Sequence, residues 1–150
     1  MNKIRFKIIP AVYLVLIQNQ KILMLRRYNT GYEDGKYSLI AGHLDGRETF
    51  RQAMIREAKE EAGMILPFEN LKVVHIMHRY VTIEENDSRE RLDTFIQATQ
   101  WNGVIKNTEP HKCDDLSWFP LNDLPLNTIP YVEYAIRNIQ QNIFYSEFGF

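Results

Sequence analysis

A single cysteine, Cys113, excludes an intramolecular disulfide in this chain of 150 residues. It fits a reducing compartment, so cytoplasm is the expected location, and it reads as a small buried residue rather than a nucleophile. Net charge is nearly absent too. The 18 basic and 19 acidic residues leave −1, so there is no broad basic field to hold duplex nucleic acid. Nucleotide-sized partners stay open, because a bound cation supplies positive charge locally. No apolar run reaches membrane-spanning length. The run Ile8 to Ile17 is too short and lacks a clear signal cleavage site, so it reads as a strand and no membrane partner is expected. Repeats, low-complexity tracts and linkers are missing as well. What is present is ordinary for a globular protein, 45% hydrophobic and 25% charged. The length predicts one domain over residues 1–150 with a good core, acting as monomer or homodimer.

Residues 7 to 17, rich in Val, Ile and Leu, predict a buried strand, and Asn19-Gln20 a turn into a second strand from Lys21 to Arg27. Tyr28 to Lys36 reads as a loop and Tyr37 to Ala41 as a short strand. Further strands are expected over Leu71 to Ile83, Arg91 to Trp101 and Leu116 to Phe119, with a polar hairpin tip at Glu84 to Glu90. A C-terminal helix is expected from Tyr131 to Gln141. The closing stretch Phe144 to Phe150 is aromatic enough to cover its own core or a partner subunit. The pattern is α+β.

Residues 42 to 64 carry the chemistry. Thr49 followed by Gln52 fits a capping box, Phe50, Ala53, Met54, Ala58 and Ala62 make an apolar stripe, and Gly63 suits a left-handed helix end. On that helix Glu57, Glu60 and Glu61 share one face. Three like charges repel unless a cation sits among them, and Mg²⁺ takes carboxylate oxygens while keeping positions for water and phosphate.

The stretch resembles the Nudix box, Gly-x5-Glu-x7-Arg-Glu-U-x-Glu-Glu-x-Gly-U, where U is aliphatic. Gly42, Glu48, Arg56, Glu57, Glu60, Glu61 and Gly63 fill every fixed place, and Ala58 and Met64 fill the U places. With each residue type at about 6%, a chance match is on the order of 10⁻⁹ per starting position. That outweighs the alternative of a solvated acidic face. One departure is visible: Ile40-Ala41-Gly42 stands where many relatives carry Pro-Gly-Gly. Lys21 to Arg27 before the box, and Glu109 to Cys113 with Trp118-Phe119 after it, are similar to the MutT-like nucleoside-triphosphate branch.

The resemblance implies an α/β/α sandwich around a mixed sheet, and a metal-dependent pyrophosphohydrolase. It implies Mg²⁺, with Mn²⁺ as substitute, held by Glu57, Glu60, Glu61 and a backbone carbonyl near Gly42. Glu57 or a carboxylate outside the helix, for which Glu109 is the candidate, serves as general base. Arg56 orients a box carboxylate, Glu48 contributes an ion pair, and Arg26 or Arg27 clamps a phosphate. Tyr32, Tyr37, Tyr80, Phe95 and Trp118 are candidates to stack a base. The expected substrate is a nucleoside diphosphate linked to another moiety, foremost a nucleoside triphosphate, oxidised purines included, giving monophosphate and pyrophosphate. Alternatives are a dinucleoside polyphosphate or nucleotide sugar, and a non-catalytic nucleotide-binding module. An RNA-cap hydrolase would profit from a basic surface, which the charge does not suggest.

Overall fold

The computed structural model describes residues 3–82 and 88–150. Most of the expected hairpin tip at Glu84 to Glu90, and the last residue of the strand expected to run to Ile83, lie outside them. The order of elements is β1 (Ile9–Gln18), β2 (Lys21–Arg27), β3 (Tyr37–Ser38), β4 (Ala41–His43), α1 (Phe50–Ala62), β5 (Leu71–Tyr80), β6 (Glu90–Ala98), β7 (Cys113–Pro120), α2 (Pro130–Gln140) and β8 (Tyr145–Phe148). A short 3₁₀ turn, Phe68–Asn70, precedes β5.

β1 and β2 form a hairpin with Gln18 opposite Lys21. The two turn residues, Asn19 and Gln20, both take positive φ, 52° and 61°, as a two-residue turn between twisted strands requires. The strands run β3-β2-β1-β6-β5-β8 across the sheet, with β4 added on β1 and β7 on β2. β1 lies parallel to β6 and β8 parallel to β5, while the other pairs are antiparallel, so the sheet is mixed.

Alternation along β1 divides the interior. Val12, Leu14 and Leu16 point into a core shared with Met54, Ala58 and Ala62 of α1. Ala11, Tyr13 and Val15 point into a second core shared with Val132, Ala135 and Ile136 of α2. A period of 2 on the strand thus serves two helices, one on each face. This is the expected α/β/α sandwich. Both helices begin as their sequences dictate. Thr49 and Gln52 exchange the reciprocal bonds of a capping box on α1, and Pro130 opens α2 where a missing N–H costs nothing.

β5 ends at Tyr80 and β6 at Ala98, short of the expected Ile83 and Trp101, and three regions depart further from expectation. Tyr37 to Ala41 is not one strand: Tyr37–Ser38 pairs with β2, and Ala41–His43 pairs with β1. Leu39 and Ile40 are buried at the crossing, where the Leu14 N–H donates to the Ile40 carbonyl. β7 starts earlier, at Cys113, since its polar first residues pair with the end of β2. The aromatic tail forms β8 on the open edge of β5. His75 fixes it there, donating from Nδ1 to the Ile143 carbonyl at 2.7 Å, while Nε2 faces the Ser146 hydroxyl at 2.7 Å. Among the described residues no helix is long and apolar enough to cross a membrane.

Candidate active site

α1 runs past β4, and this brings the box residues together. Glu57 is a carboxylate on the border of the buried stripe, only 9% exposed. Arg56 holds it with Nη1 to Oε1 at 2.7 Å. The same guanidinium reaches Glu48 Oε1 at 2.7 Å, Asp45 at 3.4 Å, the His43 carbonyl at 3.2 Å and Glu60 at 3.5 Å. The hydrogen bonds to Glu48, and then to Glu57, raise the Arg56 proton affinity, so the group is a permanent cation. Arg56 therefore ties the glycine-rich turn to the helix and aims Glu57. The Glu48 ion pair is the one the motif implies.

Glu61 sits deeper. Burial pushes its carboxyl well above the usual range, and the neighbouring Glu57 and Glu109 push in the same direction. The Ala41 N–H donates to it at 3.4 Å. Burial also raises Glu57, with Arg56 pulling it back. The backbone leaves no room to spare beside them. A Cβ built on Gly42 would lie 2.1 Å from Glu57 Oε1, so glycine is required for this approach. Gly42 belongs to β4, opposite Val12.

Glu57, Glu60 and Glu61 open into a pocket of about 460 Å³ that Glu109, Arg27 and Lys112 also line. Glu109 is placed by its own loop: its N–H donates to Asn107 Oδ1, and its carbonyl accepts from Lys112 and Cys113. Among the described residues no three acidic or imidazole side chains form a finished metal cluster. The donor set nonetheless fits a hard divalent cation. Four carboxylates line one cavity, of which Glu57 is buried and Glu61 half-buried, with one guanidinium bound to Glu57. Thiol and imidazole chemistry is absent from the acidic helix face, and Cys113, though it lines the pocket, is buried and its thiol is pushed up by burial.

The two arginines of β2 part company. Arg27 lines the pocket, its Nε donating to the Tyr32 carbonyl at 2.6 Å and Nη2 to Thr30 Oγ1 at 3.0 Å. Asp34 knots that loop by accepting from the N–H groups of Thr30 and Gly31. Arg26 instead pairs with Asp114 at 2.7 Å and lies over the Tyr37 ring, away from the glutamates. Alternation along β2 separates them. A register shift between Arg26 and Arg27, with Asp114 as the extra residue opposite, sharpens the divergence.

Of the aromatic candidates, Tyr32 borders a second pocket of about 250 Å³ on the other side of Ala41. Phe95 is core, stacked on Tyr13, and Trp118 packs beside Trp101. The Tyr37 hydroxyl donates to Asp115 at 2.5 Å. Tyr80 meets Phe150. Sequence reasoning missed Lys112, Tyr13, Arg79 and Tyr131, all lining one pocket or the other. Only the first lies near a motif residue, three positions after Glu109, and no spacing links the other three.

The model of the NUDIX domain matches residues 7–138. Over 120 residues the chain is 29% identical to the NAD-capped RNA hydrolase NudC of Escherichia coli O157:H7, an alignment covering 80% of this chain and 42% of NudC. The NudC of Shigella dysenteriae serotype 1 is 27% identical over 124 residues, 83% of this chain and 44% of that protein. The chain thus spans less than half the length of these curated relatives. Among solved structures, the MutT NUDIX hydrolase from Burkholderia pseudomallei superposes with a TM-score of 0.76 at 22% identity, covering 88% of this chain and 98% of that one. The MutT protein from Methanosarcina mazei Go1 gives 0.72 at 17%, covering 93% and 97%. At such identities these two speak for the fold.

Proposed function

The chain belongs to the Nudix family, and on that premise we propose that it is a pyrophosphohydrolase cleaving a nucleoside diphosphate linked to another moiety. The observation that carries this is the convergence of Glu57, Glu60 and Glu61 from one helix with Glu109 from a distant loop on a single cavity that also holds Arg27 and Lys112. Divalent cations are general in the family, and we take Mg²⁺ as the ion here, with Mn²⁺ as substitute, held by Glu57, Glu60 and Glu61 beside the Gly42 backbone. When bound, such an ion neutralises phosphate oxygens and makes the attacking water more acidic.

The side chains do the rest. Arg56 keeps Glu57 in position through the 2.7 Å contact. Arg27 and Lys112 bind phosphate oxygens and stabilise the charge that builds on the leaving group. Glu109 accepts the proton of the attacking water, since it lines the same cavity as the helix carboxylates and faces Lys112 at 3.9 Å rather than Arg56. Arg26, paired with Asp114, stays outside this machinery. A non-catalytic module would not need all four carboxylates.

Within this class we favour a nucleoside triphosphate giving monophosphate and pyrophosphate, because the two adjoining pockets of about 460 and 250 Å³ suit one nucleotide. A second reading, a dinucleotide or a dinucleotide cap on RNA, is favoured by the likeness to NudC. The buried lone Cys113 supports a reducing, cytoplasmic setting. A panel of nucleoside triphosphates, ADP-ribose, dinucleoside polyphosphates, NAD and NAD-capped RNA, assayed for phosphate products with Mg²⁺ and with chelator, tests all of this. Metal-dependent release of pyrophosphate from a triphosphate is expected. Preference for a dinucleotide moves the assignment to the second reading, and full turnover in chelator defeats the proposal.

A further inference from the structure

The C-terminal end of α1 is held by a segment that lies far away in the sequence. Gly63 closes the helix itself, its N–H reaching the carbonyls of Ala58 and Lys59. The carbonyls of Glu60, Glu61 and Ala62 have no later helical N–H to accept from. All three are taken by residues 106–108. The Lys106 N–H donates to the Ala62 carbonyl at 3.1 Å, the Thr108 N–H to that of Glu61 at 3.3 Å, and the Thr108 hydroxyl to that of Glu60 at 2.5 Å. The two segments are closely joined just before this point. Ile65 and Asn102 exchange backbone bonds at 3.0 and 2.9 Å, and a Cβ built on Gly103 would lie 2.9 Å from the Gly63 carbonyl oxygen.

The next residues bring the chain to the cavity. Asn107 spans the loop from within: its Nδ2 donates to the Cys113 carbonyl at 2.6 Å, and its Oδ1 accepts from the Glu109 N–H at 3.1 Å. The Glu109 carbonyl accepts from the N–H groups of Lys112 and Cys113 at 2.9 and 3.0 Å. The far end of the loop is tied as well, since the Tyr28 N–H donates to the Lys112 carbonyl at 3.0 Å. The Glu109 carboxylate is thereby presented to the cavity that Glu57, Glu60 and Glu61 line. Its charge helps to raise the Glu61 carboxyl, which sets the two groups near each other. Helix capping alone does not require these bonds. Water serves an exposed helix end, and Gly63 already closes this one. What the bonds achieve is a fixed spacing: Glu60 and Glu61 give the site their side chains, and their carbonyls are gripped by the residue next to Glu109.

We propose that Asn107 and Thr108 are positioning residues for hydrolysis: Thr108 fastens the loop to the helix turn of Glu60 and Glu61, and Asn107 sets the backbone from which Glu109 projects. The inference rests on the pyrophosphohydrolase reading, in which Glu109 takes the proton of the attacking water. Neither side chain lines the cavity, so both act through Glu109. A base must lie within hydrogen-bond reach of its water, and a small displacement costs rate. The effect falls on kcat more than on KM. Arg27 stands on β2, outside the loop, and the long side chain of Lys112 can follow a small shift.

Steady-state kinetics with Mg²⁺, on the nucleotide of the panel that the parent cleaves fastest, tests the proposal. Thr108→Val keeps the shape and loses the hydroxyl, and Thr108→Ser keeps the hydroxyl. The first should lower kcat by about tenfold with KM within about threefold, and the second should stay within about threefold of the parent kcat. Asn107→Ala should act in the same direction as Thr108→Val. Introduced into Glu109→Gln, either change should lower kcat by less than about twofold, because the group they place has gone. Thr49→Ala weakens the opposite end of the same helix and should leave kcat near the parent value. Amide exchange in the metal-free chain reads the placement without turnover. Thr108→Val should speed exchange at Glu109, Lys112 and Cys113 by about tenfold and leave the interior of α1 unchanged. The positioning role is overturned by equal losses in the parent and Glu109→Gln backgrounds, by a Glu109→Gln variant as active as the parent, or by an unchanged kcat in Thr108→Val. Unaltered exchange in the loop, a Thr108→Ser variant as slow as Thr108→Val, or a matching loss in Thr49→Ala overturns it too. A parent that cleaves nothing with Mg²⁺ defeats the hydrolase reading and this inference with it, whereas cleavage without coupling to Glu109 defeats this inference alone.

Discussion

Glu57 and Glu61 show how much a single position depends on its neighbour. Both carboxyls are raised by burial; the charge of Glu57 raises Glu61 further, while the hydrogen bond between them lowers Glu57. Glu61→Gln removes a charge from that pair while keeping its shape. Without metal the variant should melt higher than the parent, because a like-charge contact has gone. With metal, its turnover should fall by about a hundredfold or more, as expected when an inward-facing ligand is lost. Scanning calorimetry in chelator and steady-state kinetics in Mg²⁺ check the two halves; a lower melting point in chelator contradicts the repulsion. Gly42→Ala should harm activity more than stability. Its methyl group collides with the mobile end of Glu57 rather than with backbone, so the carboxylate swings away from Arg56 and the fold survives. Unchanged kcat in that variant would dismiss the close approach as incidental. The two arginines offer a third comparison. Arg27→Ala should raise KM by about tenfold, the loss of one charge-assisted phosphate contact, whereas Arg26→Ala should leave KM near its parent value. Equal effects would remove the distinction drawn from their contacts.

Elements differ in how plainly the sequence announces them. α1 was legible to the residue because its signals are local: Thr49 and Gln52 cap it, alternate turns carry Ala53, Met54 and Ala58 inward, and Gly63 ends it at φ 65°. Thr49→Ala should cost about 1 kcal/mol in denaturant melts through the lost cap. The glutamate face was legible for the same reason, since helical period alone brings those residues together. Arg79, Tyr13 and Tyr131 meet only after β1, β5 and α2 have packed, and no spacing in the chain encodes that meeting. β8 was missed because four residues gain their strand character from an edge supplied by β5 and from one buried imidazole. His75 must be neutral, with its proton on Nδ1, to donate to Ile143 and accept from Ser146. Burial lowers its proton affinity. In the unfolded chain it takes a proton near its ordinary value of about 6.5, and in the folded chain only at lower pH. The unfolded state therefore binds more protons in that window. Stability is full above the ordinary value and declines as pH falls through it towards the folded one. Amide exchange should show β8 losing protection first on acidification below about pH 6.5. Uniform loss across the sheet would point to a different group.

At the scale of the molecule, the cleft has two chambers with different linings, divided by the short β4 strand. The larger one collects α1 and the loop of Glu109, and the smaller one collects β1, β5 and α2. A cation that binds only the folded chain should raise the melting point in proportion to its occupancy. Mg²⁺ titration should therefore stabilise the parent and leave the Glu60→Gln, Glu61→Gln double variant unmoved; a matching shift in both would place the ion elsewhere.

The two tryptophans lie on one side of this plan. Trp101 and Trp118 stand 6.3 Å apart, against the core beneath α1, and line neither chamber of the cleft. Tyr32 borders the smaller chamber and, through its carbonyl, is tied to Arg27. The tryptophan emission of the protein is consequently a gauge of its folding rather than of its ligands. Tyr32→Trp would put a fluorophore at the chamber mouth, turning occupancy into an optical signal while the native pair continues to report on the core.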